Sequence, residues 1–183
     1  MREDLQAFLD MLGSCDERSR SEAWWHVKDL IDKGVLTPEE AKQRKHFFLE
    51  LLGSKDESAR LLAWSSVKDL IIRGVITLED AGQKKQYYFE LLQSGNEEVT
   101  SRAWSHMSGL IDEGVLTRED SELFFDLMES DDEGARLNAW RNVSTLINKG
   151  VITVEEAKAR KQYFLELLES KDDWTRSRAW LGV

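Results

Sequence analysis

Five Ala-Trp pairs divide this chain into near-equal lengths: Ala23-Trp24, Ala63-Trp64, Ala103-Trp104, Ala139-Trp140 and Ala179-Trp180, at spacings of 40, 40, 36 and 40 residues. A period of this length is that of a two-helix unit. Such a unit cannot bury its apolar face alone, so copies must stack. The clearest copy is SKDESARLLAWSSVKDLIIRG, from Ser54 to Gly74. The expected fold is therefore all-α: one α-solenoid domain of about ten helices. It has an N-terminal half-repeat at 1–13, repeats near 14–53, 54–93, 94–129 and 130–169, and a partial repeat at 170–183.

Composition narrows the partners. A hydrophobic content of 41% supplies a core, while the formal charge of -10 disfavours a general nucleic-acid or anionic-membrane binder. Cys15 is the only cysteine, so no disulfide can form within the chain and a reducing interior suits it. The start, Met1-Arg2-Glu3-Asp4, is charged and reads as no secretory leader. No apolar run approaches the roughly 18 residues of a membrane span, so a cytoplasmic protein is expected. A single Pro and 33% charged residues lean towards a thermophile.

Taken in order, the chain announces its helix ends. Ser14/Glu17, Ser54/Glu57, Ser94/Glu97, Ser130/Glu133 and Ser170/Asp173 have capping-box spacing and predict the starts of five long helices. Gly34, Gly74, Gly114 and Gly150 predict four helix ends in the left-handed conformation. Val35, Val75, Val115 and Val151 supply the apolar contact of a Schellman motif. Thr37/Glu40, Thr77/Asp80, Thr117/Asp120 and Thr153/Glu156 open short helices near 38–52, 78–92, 118–128 and 154–168. Links of about three residues impose antiparallel pairing. On the short helix, Ala41, Phe48 and Leu52 share a face with Lys45 at its edge; on the long one, Ala59, Ala63, Trp64, Val67, Leu70 and Ile71 do. The third short helix lacks four residues found in the others. Within one continuous helix that is about 1.1 turns, returning the face to within roughly 40° and shortening it by about 6 Å. A change of superhelical geometry is expected near residues 114–140.

With L-L-x-x-x-D-x-x-A-R-x-x-A at Leu51 to Ala63 and D-x-x-x-A-R-x-x-A-W at Asp131 to Trp140, the chain resembles HEAT-like repeat proteins, including the bilin-lyase-type subfamily. The likeness covers nearly all 183 residues. It implies a right-handed-type α-solenoid whose second helix, here the long one, lines the concave side. Arg20, Arg60, Arg136 and Arg176 match the family's arginine, and Thr100 departs from it. Serines stand where the family's usual aspartate precedes that arginine, and its common proline in the first helix is missing.

Few residues suggest chemistry. The five repeat tryptophans read as core, with the arginine four residues earlier able to cover each ring except Trp104. His26, His46 and His106 are too dispersed along the repeat for one metal, and no cofactor or catalytic constellation is visible. A non-enzymatic scaffold for a protein or peptide is the expected function. The likeness places its partner on the outward side of the long helices, at Trp25, Leu61, Ser65, Lys68, Ile72, Ser105, Leu137 and Arg141. Two alternatives stand beside it. Arg44, Lys45, Lys84, Lys85, Arg160 and Lys161 at matching short-helix positions could form a basic stripe for nucleic acid, and the family likeness allows a bilin- or small-molecule-handling protein. The last long helix has no covering short helix, so Trp174 and Trp180 suggest a homodimer surface.

Overall fold

The computed structural model describes residues 2–181, and every regular element among them is helical. In order these are α1 (Arg2–Met11), α2 (Glu17–Asp32), α3 (Pro38–Lys42), α4 (Lys45–Leu51), α5 (Glu57–Ile72), α6 (Leu78–Gly82), α7 (Lys85–Leu92) and α8 (Glu97–Asp112). A 3-10 turn, Arg118–Asp120, then precedes α9 (Ser121–Met128), α10 (Glu133–Arg141), α11 (Val143–Asn148), α12 (Val154–Ala159), α13 (Lys161–Leu168) and α14 (Asp173–Trp180). The chain forms two compact units, Met1–Leu91 with Glu113–Val115, and Leu92–Asp112 with Leu116–Val183.

Within the first unit the long helices α2 and α5 pack along one another. Trp24 and Trp64 are buried at 0% and 1% exposure, each ring tilted against an aromatic of the following short helix: Phe48 at 5.1 Å and Tyr88 at 5.1 Å. Each indole N–H donates to a carbonyl at the end of the preceding short helix, Trp24 to Leu12 and Trp64 to Leu52, both at 3.0 Å. The tryptophan thus fills the core and satisfies a carbonyl that a helix end leaves without a partner. In the second unit, Trp140 repeats the arrangement with Phe164 at 5.3 Å and the Met128 carbonyl at 3.0 Å. A further cluster joins Leu137, Leu167 and Ala179, with Trp140, Phe164 and Leu168 against it.

The helix ends hold as expected, but not every start. Gly34, Gly74, Gly114 and Gly150 adopt φ of 67°, 71°, 77° and 73°. Val35, Val75 and Val151 donate to Leu30, Leu70 and Leu146, each at 2.9 Å, which is the long bond of the Schellman motif. Val75, Val115 and Val151 are buried, whereas Val35 is 48% exposed; the residue after each valine, Leu36, Ile76, Leu116 or Ile152, is buried in all four. The four Thr capping boxes are all formed. The serine boxes are not. Asp16, Asp56, Asp132 and Asp172 are the N-caps, accepting from Ser19, Ala59, Ala135 and Thr175. Each sits one residue before its helix in extended backbone, where a carboxylate both caps and complements the helix dipole. The serines accept from the N–H two residues on, forming a lead-in turn. Ser54 and Ser170 also donate to Glu17 and Glu133 of the repeat before.

Two expectations of continuous helices fail. Three of the short helices break in the middle, where Arg44, Lys84 and Arg160 donate to Ala41, Ala81 and Ala157 three residues back. That tightened bond ends one piece, and the next begins immediately. The third short helix has only its 3-10 turn before α9, so the four missing residues come from the first piece and the break. Helix α9 keeps the eight-residue length of α7, and no face has to rotate within a continuous helix. The fourth long helix is divided at Asn142. Its side-chain amide donates to the Asn138 carbonyl at 2.9 Å, while its own N–H turns to Ala139 at 3.1 Å. A side chain thereby occupies the acceptor that the helical ladder needs.

Candidate functional site

Two open clefts of the second unit lie between α8 and α10. One, of about 310 Å³, is bordered by the start of α8 (Glu97, Thr100), the start of α10 (Asp132, Gly134, Ala135, Asn138) and Trp174 of α14. Gln93, Ser94 and Gly95 close its end. The other, of about 230 Å³, continues along Ser101, Trp104 and Ser105 on one side and Asn138, Arg141 and Asn142 on the other. Asn138 belongs to both, so the two form one groove.

Looser packing accompanies the groove. Trp104 meets Phe124 at 6.2 Å, against 5.1–5.3 Å for the equivalent Trp24, Trp64 and Trp140 contacts. Trp104 is 5% exposed, yet its indole N–H has no acceptor, whereas the other three each find a carbonyl twelve residues earlier. The shortened third short helix lies directly beside this defect. Helix α9 follows the capping turn without an intervening break, and its Phe124 ring stands farther from Trp104 than Phe48 and Tyr88 stand from Trp24 and Trp64.

The arginine register shows a second departure. Arg20, Arg60 and Arg136 are buried at 7%, 7% and 8% exposure. Their guanidinium groups turn to Glu50, Glu90 and Glu166 on the following short helix, at 3.4, 2.8 and 3.5 Å, rather than lying over the tryptophan rings as expected. Glu17 and Glu57 stand on the other side of Arg20 and Arg60 at 3.8 and 3.9 Å. In the groove this position is Thr100, 3% exposed, whose hydroxyl donates to the Ser94 carbonyl at 2.7 Å.

The residues expected on a binding face scatter. Ser105 and Arg141 are exposed and line the groove. Leu61 and Leu137 are not surface residues at all: they are 3% and 1% exposed, packed inward as part of a core broader than the Ala-Trp face. On the first unit Trp25 and Ile72 are 44% and 59% exposed. Ser65 is half-buried and donates to Leu62, and Lys68 pairs with Glu113 at 3.7 Å. Trp174 is exposed and walls the groove, with the Arg178 guanidinium 5.5 Å from its ring. Trp180, expected in the core, is 61% exposed.

The basic positions are partly neutralised. Lys45 bridges to Asp80 at 2.8 Å, and Arg160 pairs with Glu129 at 2.7 Å while lying 3.6 Å above the Phe125 ring. Burial would raise the Asp80 pKa, but hydrogen bonds from Lys45 and Thr77 outweigh it and hold the carboxyl below its ordinary range. Lys84 lies 5.9 Å from the Tyr87 ring, Arg44 and Lys85 are half-buried, and Lys161 is exposed. Burial, followed by the nearby Arg102 charge, pushes the His106 pKa down and favours its neutral form. Among the described residues no three His, Cys, Asp or Glu side chains gather as a metal site requires, and no helix is long and apolar enough to cross a membrane.

Sequence reasoning missed Thr100, Asn138, Gly95 and Gly134 as groove residues. Thr100 carried a signal, being the one position where the repeating arginine is absent. No protein-family model matches the chain, and no curated protein matches it.

Proposed function

We propose that the chain is a HEAT-like α-solenoid scaffold of the cytoplasm, without catalytic activity, that binds a protein or peptide in the groove between α8 and α10. The observation that carries this reading is the groove's position at the point where the repeat is interrupted. Elsewhere the repeat's tryptophans meet their covering aromatics closely; here the ring contact widens, an indole loses its acceptor and open volume remains. Exposed Ser105 and Arg141 with half-buried Asn138 offer the mixed polar lining that suits an extended peptide. The nucleic-acid alternative is weakened by the carboxylates that engage Lys45 and Arg160.

Selection of a random peptide display library on the intact protein tests the proposal, with Asn138→Trp as the blocked control. Peptides that bind the parent and lose at least tenfold in affinity to Asn138→Trp, with the far-ultraviolet spectrum of the variant unchanged, support the groove. Peptides that bind both proteins equally refute it. Salt-sensitive capture of single-stranded oligonucleotide, lost on Lys84→Glu with Lys161→Glu, would move the function to the short helices.

A further inference from the structure

We infer that the cleft beside Thr100 is a slot for an arginine side chain of the bound partner, taking the place of the arginine that the repeat itself supplies elsewhere. The inference rests on the groove reading above and names the partner chemistry that the groove selects.

The repeat gives the template. At Arg20 and Arg60 a guanidinium is held between a carboxylate three residues earlier on its own helix and a second on the following short helix: Glu17 and Glu50 in one case, Glu57 and Glu90 in the other. At the third repeat both acids persist in register, as Glu97 and Asp126, while the arginine is replaced by Thr100. Among the described residues no cation lies within ion-pair distance of either acid. Thr100 is too short to fill the space its counterparts occupy, and the 310 Å³ cleft opens at that position with Glu97 on its wall. The volume is at the small end of ligand pockets, about 300 Å³ and upward, which fits one long side chain rather than a cofactor. Gly95 and Gly134 keep the mouth clear, and Trp174 adds an aromatic wall that already attracts the guanidinium of Arg178. Arginine suits the slot better than lysine because its planar fork can meet the Glu97 carboxylate with two parallel hydrogen bonds and lie flat against the Trp174 ring, both of which line the cleft.

The test uses the tripeptides acetyl-Gly-Arg-Gly-amide and acetyl-Gly-citrulline-Gly-amide, which differ in charge at nearly constant shape, titrated into the intact protein and followed by backbone and indole NMR shifts. Saturable shifts at Thr100, Asn138 and the Trp174 indole are expected with the arginine peptide only. Exposed Glu97→Gln should weaken the binding at least threefold without unfolding the protein. Thr100→Arg, which supplies the side chain from within, should abolish the binding and raise the melting temperature. Equal binding of the citrulline peptide, unchanged affinity in Glu97→Gln, or undiminished binding to folded Thr100→Arg each overturns the inference. The two readings fail separately. Display-selected groove binders without a basic residue would leave the scaffold standing and remove the slot, whereas tripeptide saturation without any groove-binding display peptide would do the reverse.

Discussion

Replacing the repeat tryptophans by phenylalanine separates their two roles. At Trp64 the substitution removes part of a ring that is 1% exposed and also removes the donor to the Leu52 carbonyl at 3.0 Å. A buried carbonyl left without its partner costs about 1–3 kcal/mol beyond the lost packing. At Trp104, 5% exposed, the packing loss is comparable, but the indole N–H has no acceptor, so no hydrogen bond is lost and a buried unpaired donor disappears. Trp64→Phe should therefore destabilise more than Trp104→Phe by at least about 1–3 kcal/mol, a factor of roughly 5 to 150 in the unfolding equilibrium. Trp140→Phe provides a control in the same compact unit as Trp104, with its bond to Met128 at 3.0 Å. Urea unfolding followed by far-ultraviolet circular dichroism is the suitable assay, since the chain has seven tryptophans and each substitution alters the fluorescence baseline. A cost for Trp104→Phe equal to that of both Trp64→Phe and Trp140→Phe would refute the assignment of the indoles as carbonyl caps.

Gly74→Ala should destabilise by about 1–2 kcal/mol, because its φ of 71° is left-handed even though no atom lies near the added methyl. Gly82→Ala, also in open space but without a positive φ, should stabilise by about 0.5–1 kcal/mol; thermal melts of the pair reveal the opposite signs. Asn142→Ala should favour joining α10 to α11, by up to about 0.7 kcal/mol on intrinsic preference, seen as slower amide exchange at residues 141–146. Acid should weaken the fold through its capping carboxylates. Hydrogen bonds from Arg118, then Thr153, hold Glu156 down at about 2 against an ordinary 4.5, so its contribution is complete above pH 4.5 and fades as the pH falls towards 2. Glu156→Gln should flatten that part of the melting temperature against pH, and an unchanged profile would count against it.

The sequence made the helix ends legible because each depends on a few local residues. Glycine in the left-handed region and the Thr-x-x-Glu or Asp box need no knowledge of what packs outside them. The helix starts were harder because two acceptors compete within three residues. Ser54 and Asp56 can both serve an exposed amide; the serine accepts from the Asp56 N–H in a lead-in turn, which leaves the aspartate to cap, as it does at Asp16 and Asp132. Likewise, nothing local marks Leu61 and Leu137 as buried. A helix wheel gives their direction, but a neighbour thirty or more residues away decides whether that direction meets solvent, as Leu137 meets Leu167.

The candidate site was legible only as an irregularity. A repeat fixes each position by comparison with its copies, so a departure either carries a compensating change or leaves a defect. At Asp80 and Glu156 the copies differ in length of side chain, and Lys45 and Arg118 still reach them, so structure is retained. At Thr100 the change is from a long cation to a short hydroxyl, and the two acids that flanked the cation remain. The Ser94 bond satisfies the hydroxyl but returns neither the volume nor the charge. Four missing residues then widen the adjoining ring contact instead of closing it. These departures coincide within one groove, and that coincidence gives an otherwise ordinary run of helices a place where a partner's side chain has something specific to complete.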